Sequence, residues 1–138
     1  MYGYMAAVAL LMHPADPAVL DLKAASQGLN RYEHQVIERT NVQRKQHGLK
    51  PLQVDLRLVR SARRHTAWMT RNQNLQHTTA PVGENIAMGQ RSSGEVVTAW
   101  MNSPGHRQNI LNSGYRKIGV AAYTSKDGSV YWCQQFLR

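Results

Sequence analysis

The sequence predicts a single α+β domain with the element order helix, helix, strand, helix, helix, hairpin. Helix-capping residues precede segments of helical apolar spacing, and near the C-terminus apolar residues alternate with others on both sides of a turn. A chain of 138 residues is long enough for one hydrophobic core but not for two. No internal repeat or low-complexity segment suggests a different organisation.

We predict that residues 1–29 form a leader and linker and that the folded domain spans residues 30–138. Met5–Met12 is an apolar run within the size of a signal-peptide core and far too short to span a bilayer, so no transmembrane span is predicted. No lysine or arginine precedes Lys23, and the basic start of an export signal is therefore missing. An export signal and a loose apolar leader both remain open.

The first two helices are predicted from their capping residues. Asn30, followed three residues later by a glutamate, resembles a capping box, and the helix should run to about His47, before Gly48. Asp55 caps a second helix that should end near Asn72. One face of this helix combines apolar residues at helical spacing with a histidine: Leu58, Ala62, His65 and Met69.

Four shorter segments are predicted next: a polar loop at 73–83, a strand at 84–88, a helix from Ser92 to about Met101 and a helix from Ser103 to about Asn112. Ser103 fits an N-cap because Pro104 follows it at the first helical position. Beyond this helix, alternating residues flank a turn at Asp127–Gly128, which predicts the hairpin.

The composition is basic, with 17 Lys+Arg against 8 Asp+Glu and a formal net charge of +9. This charge favours anionic partners such as nucleic acid, acidic lipid headgroups or cell-wall polymers, and does not choose among them. The basic residues are scattered, which favours an ordinary solvated surface over a dedicated polyanion groove. The single cysteine, Cys133, excludes an intrachain disulfide and is expected to be a small buried core residue.

Two of only four glutamates, Glu84 and Glu95, lie between the histidines His77 and His106. Two imidazoles and two carboxylates that meet in space make either a divalent-metal site or an acid–base site. Simpler explanations exist for three of them: solvent exposure for His77, helix capping for Glu95 and a surface position for His106. Glu84 is harder to explain locally, because a carboxylate beside a core strand needs a partner.

His106 is the strongest candidate on local grounds. It falls at the third position of the fourth helix, where the helix dipole disfavours imidazolium and leaves a neutral ring able to bind metal or accept a proton. Ser103 is already explained as the N-cap, so we do not expect a serine nucleophile. His65 is expected to be a hydrogen-bonded core residue, with a supporting role beside the site as the alternative.

Several motifs occur in a characteristic order over residues 33–136: Asn41-x-x-Arg44, Gly48–Leu52, Ala62-Arg63-Arg64-His65-x-x-x-Met69, His77-Thr78, Gly83–Ala87, Glu95-Val96-Val97-x-x-Trp100, Ser103–Arg107, Ile118–Val120 and Tyr131-Trp132-x-Gln134-x-Phe136. In these motifs the chain resembles the CAP superfamily of cysteine-rich secretory proteins, antigen 5 and plant pathogenesis-related proteins. The resemblance is closest to the short bacterial members, which usually lack the disulfides of their eukaryotic relatives.

The resemblance implies an α-β-α sandwich, in which a small, mainly antiparallel sheet lies between helical layers beside an open cleft. It also implies that His77, Glu84, Glu95 and His106 converge in that cleft. Several members of the superfamily bind a divalent metal there, commonly zinc. The two histidines are then the ligands, and the two glutamates lie close by or bond through water.

We therefore interpret the chain as an extracellular or periplasmic, monomeric binding domain with a metal-capable cleft, whose ligand is a lipid or an anionic cell-wall polymer rather than nucleic acid. A hydrolase is one alternative, in which zinc or a His/Glu pair activates water and Glu84, Glu95 and His106 are the catalytic groups. A second alternative is a protein that binds polyanions through its basic charge, independently of the cleft. Its binding would collapse at moderate salt and survive Glu84→Gln and His106→Ala.

Overall fold

A computed structural model of the chain describes Ala24 and residues 27–138. The apolar run Met5–Met12 and most of the predicted leader lie outside these residues. The helices and strands with fully described bounds are α1 (Arg31–Gln46), β1 (Gln53–Val54), α2 (Leu56–Asn72), β2 (Gly83–Met88), α3 (Ser93–Met101), α4 (Pro104–Ile110), β3 (Lys117–Thr124) and β4 (Val130–Leu137). The predicted order is confirmed, with the two-residue strand β1 as an addition.

The first two helices begin where their capping residues predict. At the start of α1 the Asn30 side chain accepts a hydrogen bond from the Glu33 N–H, and the Glu33 carboxylate accepts one from the Asn30 N–H, each at 2.9 Å. The Asp55 carboxylate accepts from the Arg57 N–H at 2.8 Å at the start of α2. Just beyond α1, Gly48 has a φ of +72°, a left-handed conformation that favours glycine.

The four strands form one sheet in the order β1-β3-β4-β2. The β3–β4 hairpin and the β2–β4 pair are antiparallel, whereas β1 pairs with β3 in parallel. The predicted mainly antiparallel sheet is confirmed. Its register places Glu84 of β2 directly opposite Gln135 of β4, and this pairing shapes the site described below.

Helices cover both faces of the sheet, which confirms the α-β-α sandwich. On the face covered by α2, one buried cluster contains Ala62, Met69, Ile86, Ala121, Tyr131 and Cys133. The larger cluster brings α1, α3 and α4 onto the other face, with Val36, Val97, Trp100, Ile110, Ile118, Trp132 and Phe136 among its buried residues. Successive side chains of β4 therefore face two different helical layers, rather than the core on one side and solvent on the other.

Two residues of the predicted linker, Ala24 and Leu29, are buried in the larger cluster. Arg44 is also buried, and it joins α1 to α4 through backbone carbonyls. Its guanidinium donates to Ile110 O and Asn112 O, each at 2.8 Å. These bonds fix the helix that carries His106. None of the described helices is both long and apolar enough to cross a membrane.

Gly119 lets α2 lie close against β3. A Cβ atom at this position would overlap with the backbone of Leu58 and Val59 in α2. Because those contacts are backbone atoms, no side-chain rotation could relieve the overlap. Helix α2, which carries His65, is therefore held against the sheet that carries Glu84.

Candidate functional site

The Glu84 carboxylate, near the start of β2, is buried and has the hydrogen-bond partners that a buried carboxylate needs. The residue is 8% exposed. Oε1 accepts from His77 Nδ1 at 2.8 Å and from the Thr78 N–H at 2.9 Å, while Oε2 accepts from Gln135 Nε2 at 3.0 Å and from the Cys133 thiol at 3.4 Å. Four donors thus satisfy a buried carboxylate.

Cys133 is buried, as predicted, and its thiol is kept protonated by its surroundings. Burial raises its pKa well above the ordinary value, and the adjacent Glu84 carboxylate raises it further. A thiol held in this form is a weak hydrogen-bond donor rather than a nucleophile or a metal ligand. Its role here is to help satisfy Glu84.

His77 connects the buried carboxylate to solvent, because its side chain is 61% exposed while that of Glu84 is only 4% exposed. In the tautomer whose Nδ1–H donates to the carboxylate, the lone pair of the ring lies on Nε2. The Nε2 atom makes no hydrogen bond to the described residues. His77 is therefore oriented by a group behind it and presents its second nitrogen outward.

Ser103 is the N-cap residue of α4 and Pro104 follows it at the first helical position, as predicted, but the Ser103 side chain does not cap the helix. Its hydroxyl makes no hydrogen bond to the first N–H groups of the helix. It instead shares a hydrogen bond of 2.8 Å with Nδ1 of His106. The reason is that His106, at the predicted third helical position, reaches back over the helix start and engages the hydroxyl.

The surroundings of His106 favour its neutral ring. Burial lowers its pKa, and the nearby charge of His77 lowers it further. The direction agrees with the sequence-based expectation, whereas the causes are burial and a second histidine rather than the helix end. The two residues thus interact electrostatically, although they are far apart in sequence.

A buried amide network joins α4 to the sheet beneath these rings. Asn85 Nδ2 donates to His106 O and to Gln134 Oε1, each at 3.1 Å. Asn109 Nδ2 donates to Glu84 O at 3.1 Å and to Asn85 Oδ1 at 2.9 Å. The backbones at Glu84 and His106 are consequently fixed relative to each other.

Glu95 is exposed, and its hydrogen bonds lie at the start of α3. Its backbone N–H donates to the Ser92 hydroxyl at 3.1 Å, and its carboxylate accepts from the Arg91 N–H at 2.9 Å. The carboxylate thus reaches one residue further back than in a strict capping box. Of the four predicted residues, His77 and Glu84 contact each other, the His106 backbone is bonded to Asn85 beside Glu84, and Glu95 is a helix-start residue.

The donor set that remains for a metal is a pair of imidazoles. Across residues 27–138 and Ala24, no three His, Cys, Asp or Glu side chains form a group placed to hold a metal ion. The Glu84 carboxylate is already engaged by its donors and orients His77. The ring nitrogens of these two histidines that make no hydrogen bond to the described residues are Nε2 of His77 and Nε2 of His106.

His65 supports the loop before the site. Its Nε2 atom forms a 2.6 Å hydrogen bond with Gln76 O, and its ring stacks on that of Trp68. The expected hydrogen bond is present, but the residue is only half-buried. His65 thereby connects α2 to the loop that carries His77.

Sequence reasoning missed the partners of the site, namely Thr78, Cys133 and Gln135 around Glu84 and the bond from Ser103 to His106. One signal was available: Gln134 and Gln135 are adjacent amides in an otherwise apolar strand. Buried amides need partners, and each glutamine faces a different helical layer. Gln135 meets Glu84, while Gln134 donates to Thr40 Oγ1 at 2.7 Å.

Comparison with known proteins agrees with this fold. A family model described as the cysteine-rich secretory protein family (CAP) matches residues 37–136. The Bacillus subtilis protein YkwD is 40% identical over 131 residues, covering 83% of this chain and 50% of that protein. The chain thus spans about half the length of this curated relative.

Solved structures show the same architecture. An extracellular protein of Bacillus anthracis that contains an SCP domain matches 92% of this chain and 45% of its own, with a TM-score of 0.70 at 24% identity. An outer surface protein of Borrelia burgdorferi matches 75% of this chain and 90% of its own, with a TM-score of 0.66 at 22% identity. At these identities the structures establish the fold alone. Together with the family model, they show that the chain belongs to the CAP, or cysteine-rich secretory protein, family.

Proposed function

We propose that the chain is the ligand-binding domain of an exported protein and that its cleft binds one divalent metal ion, zinc in the first instance, between His77 and His106. One observation carries this proposal. Each ring has its Nδ1 atom engaged by a polar partner, Glu84 or Ser103, at 2.8 Å. This arrangement, in which a second group orients a histidine and leaves Nε2 for the metal, is the usual environment of metal-binding histidines.

The chemistry of the pair suits a site that also accepts a ligand. Zinc usually takes four ligands, so two imidazoles leave further positions for water or for an oxygen of a bound molecule. The lowered pKa of His106 favours its neutral form, which is the form that binds metal. Glu84, held by Gln135 and Thr78, acts as a positioning residue for His77.

An extracellular or cell-surface location follows from the relatives and is likewise proposed. The Bacillus anthracis match is described as an extracellular protein and the Borrelia burgdorferi match as an outer surface protein. A formal net charge of +9 suits work beside anionic lipids or wall polymers.

Zinc titration by calorimetry tests the metal site. The wild-type domain should bind one ion, and His77→Ala and His106→Ala should each weaken binding at least about tenfold, since each removes one of two protein ligands. His47→Ala is the matched control, because His47 is an exposed histidine whose ring nitrogens bond to Gln43 O and to the Arg107 side chain, and to none of His77, Glu84 and His106.

Circular dichroism should show that the three variants remain folded. Identical isotherms for wild type, His77→Ala and His106→Ala would contradict the proposal. Weakening by His47→Ala to the same extent would also contradict it, since binding would then belong to surface histidines in general.

A further inference from the structure

The outer side of α2 and the loop that follows it form an open groove beside His77, which we call the Trp68 groove. One cavity of about 360 Å³ is lined by Ser61, Arg64, His65, Trp68, Thr78 and Thr79, together with Ala80. A second cavity of about 230 Å³ shares four of these residues and extends to Gln76 and His77. The groove therefore borders the histidine pair without containing His106.

The loop wall of this groove is held in place from two sides. His65 Nε2 forms a 2.6 Å hydrogen bond with Gln76 O, and the Thr78 N–H donates to the buried Glu84 carboxylate at 2.9 Å. A wall fixed in this way is ready before a ligand arrives. Binding then avoids much of the entropy cost of ordering a loop.

An aromatic surface lines the groove. The Trp68 side chain is 37% exposed, and its ring lies nearly parallel to that of His65, with centroids 5.9 Å apart and an interplanar angle of 8°. The other two tryptophans of the chain, Trp100 and Trp132, are each 1% exposed. An indole kept at the surface in a fixed orientation offers a large, flat apolar area at low entropy cost.

The rest of the lining is polar and positively charged. Ser61, Thr78 and Thr79 supply hydroxyl groups, and no acidic side chain lines either cavity. Arg64 is exposed and makes no ion pair or hydrogen bond with the part of the chain that the structure describes. A molecule with a hydroxylated ring and a carboxylate complements these hydroxyl groups and this cation.

We infer that the Trp68 groove binds an anionic saccharide, with a sugar ring stacked on Trp68 and its carboxylate paired with Arg64. A cavity of about 360 Å³ is at the lower end of the range of small-molecule pockets and is suited to a short saccharide. The inference rests on the proposed binding function, because it names the class of ligand, but it does not depend on the metal.

Tryptophan fluorescence gives a direct test, because Trp68 is the exposed indole of the three. The domain is titrated with N-acetylmuramic acid in the presence of EDTA, and in parallel with N-acetylglucosamine, which has the same ring without the carboxylate. A saturable emission change is expected with both sugars. Binding of the uncharged sugar should be roughly threefold to fivefold weaker, the size of effect that one exposed ion pair gives.

Three variants assign the result to the groove, with affinities measured by ligand-observed NMR so that the readout does not need Trp68. Trp68→Ala should abolish saturable binding of both sugars. Arg64→Ala should remove the preference for the acid while retaining the ring contact. Arg60→Ala is the matched control, since Arg60 is an exposed arginine one turn earlier on α2 and does not line the groove.

Absence of saturable binding, or binding unchanged by Trp68→Ala, overturns the inference. Equal losses in Arg60→Ala and Arg64→Ala also overturn it, because they indicate attraction to the basic surface as a whole. Saccharide binding in EDTA by a protein that fails the zinc titration refutes the metal site and supports the groove. The reverse pair of results refutes the groove and supports the metal site.

Discussion

Glu84 and Glu95 are the same residue type in two regions of the molecule, near the start of β2 and at the start of α3, and they have opposite surroundings. Glu84 is 8% exposed and is hydrogen-bonded to the 77–78 loop and to β4. Glu95 is exposed, its carboxylate accepts from the Arg91 N–H, and its own N–H donates to the Ser92 hydroxyl. The comparison shows that a neighbouring strand and loop, rather than the scarcity of glutamate, decide which carboxylate organises a site.

The largest expected effect is that of Glu84→Ala, which should lower the free energy of unfolding by about 3 kcal/mol. The substitution leaves buried donors, Gln135 Nε2 among them, without an acceptor. Chemical denaturation measures the change. A loss no larger than that caused by Glu95→Ala would show that the two carboxylates contribute equally to stability. It would contradict the conclusion that Glu84, unlike Glu95, organises its surroundings.

Glu84→Gln separates charge from shape at the same position. Gln135 Oε1 is buried and has no hydrogen-bond partner among the described residues, so a rotated Gln135 amide can accept from the new side chain. We therefore expect about half the loss of stability caused by Glu84→Ala, together with weaker zinc binding. A loss as large as that of the alanine variant would show that the carboxylate charge itself holds this region.

An intermediate effect is expected for Ser103→Ala, and it should appear in metal affinity rather than in stability. The Ser103 hydroxyl orients His106, and removing such a partner typically weakens metal binding tenfold or more, or about 1.4 kcal/mol. The free energy of unfolding should change by less than about 0.5 kcal/mol, because there is no side-chain cap to lose. Calorimetry and denaturation together distinguish the two effects. Loss of about 1 kcal/mol of stability with unchanged zinc affinity would restore the capping role.

A smaller effect is expected for Glu95→Gln. A carboxylate in the first turn of a helix contributes about 0.5 kcal/mol, and salt reduces this contribution. Denaturation should therefore show a small loss in the free energy of unfolding at low salt and a smaller loss at high salt. Zinc affinity should not change. A loss of zinc affinity comparable with that of His106→Ala would place Glu95 in the metal site, as the family resemblance implies.

A third carboxylate, Asp55, extends the comparison to pH. Hydrogen bonding to the Arg57 side chain is the main cause that lowers the pKa of Asp55 to about 2, against about 3.9 in an unfolded chain. Because the folded-state pKa is the lower one, this stabilisation is present above about pH 4 and is lost as the pH falls towards 2.

Asn at position 55 still caps a helix, but it removes the charge that pairs with Arg57, so Asp55→Asn should lower stability at neutral pH, and this loss should shrink as the pH falls towards 2. It should flatten the stability profile between about pH 4 and 2. Thermal unfolding of both proteins across this range measures the difference. Parallel profiles would show that Asp55 does not contribute to acid sensitivity.

The helices and the hairpin could be predicted from the sequence because their signals are local. A capping residue such as Asn30 or Asp55 acts on N–H groups within three residues, and Asp127–Gly128 acts within one turn. The strand β1 was missed because Gln53 and Val54 are too few to show a period, and their pairing depends on β3. Its formation is a consequence of the tertiary fold.

The site was predictable only in part, for the same reason. Local patterns singled out Glu84 as a carboxylate in need of a partner and His106 as a neutral ring. They could not show that the β2–β4 register places Gln135 opposite Glu84. They placed Ser103 correctly as the N-cap residue, but they could not show that its hydroxyl bonds to His106 rather than to the first N–H groups of the helix.

The close approach at Gly119 has a consequence for binding kinetics. Helix α2 carries one wall of the Trp68 groove, and the sheet that it touches through Gly119 carries Glu84, which orients His77. The groove and the exposed His77 ring therefore belong to one rigid frame. Association with such a frame needs no closing step, and its observed rate should rise linearly with ligand concentration without reaching a plateau. A ligand long enough to contact both Trp68 and the His77 ring would find these two groups at a fixed distance from each other. The domain would therefore select its ligand by length.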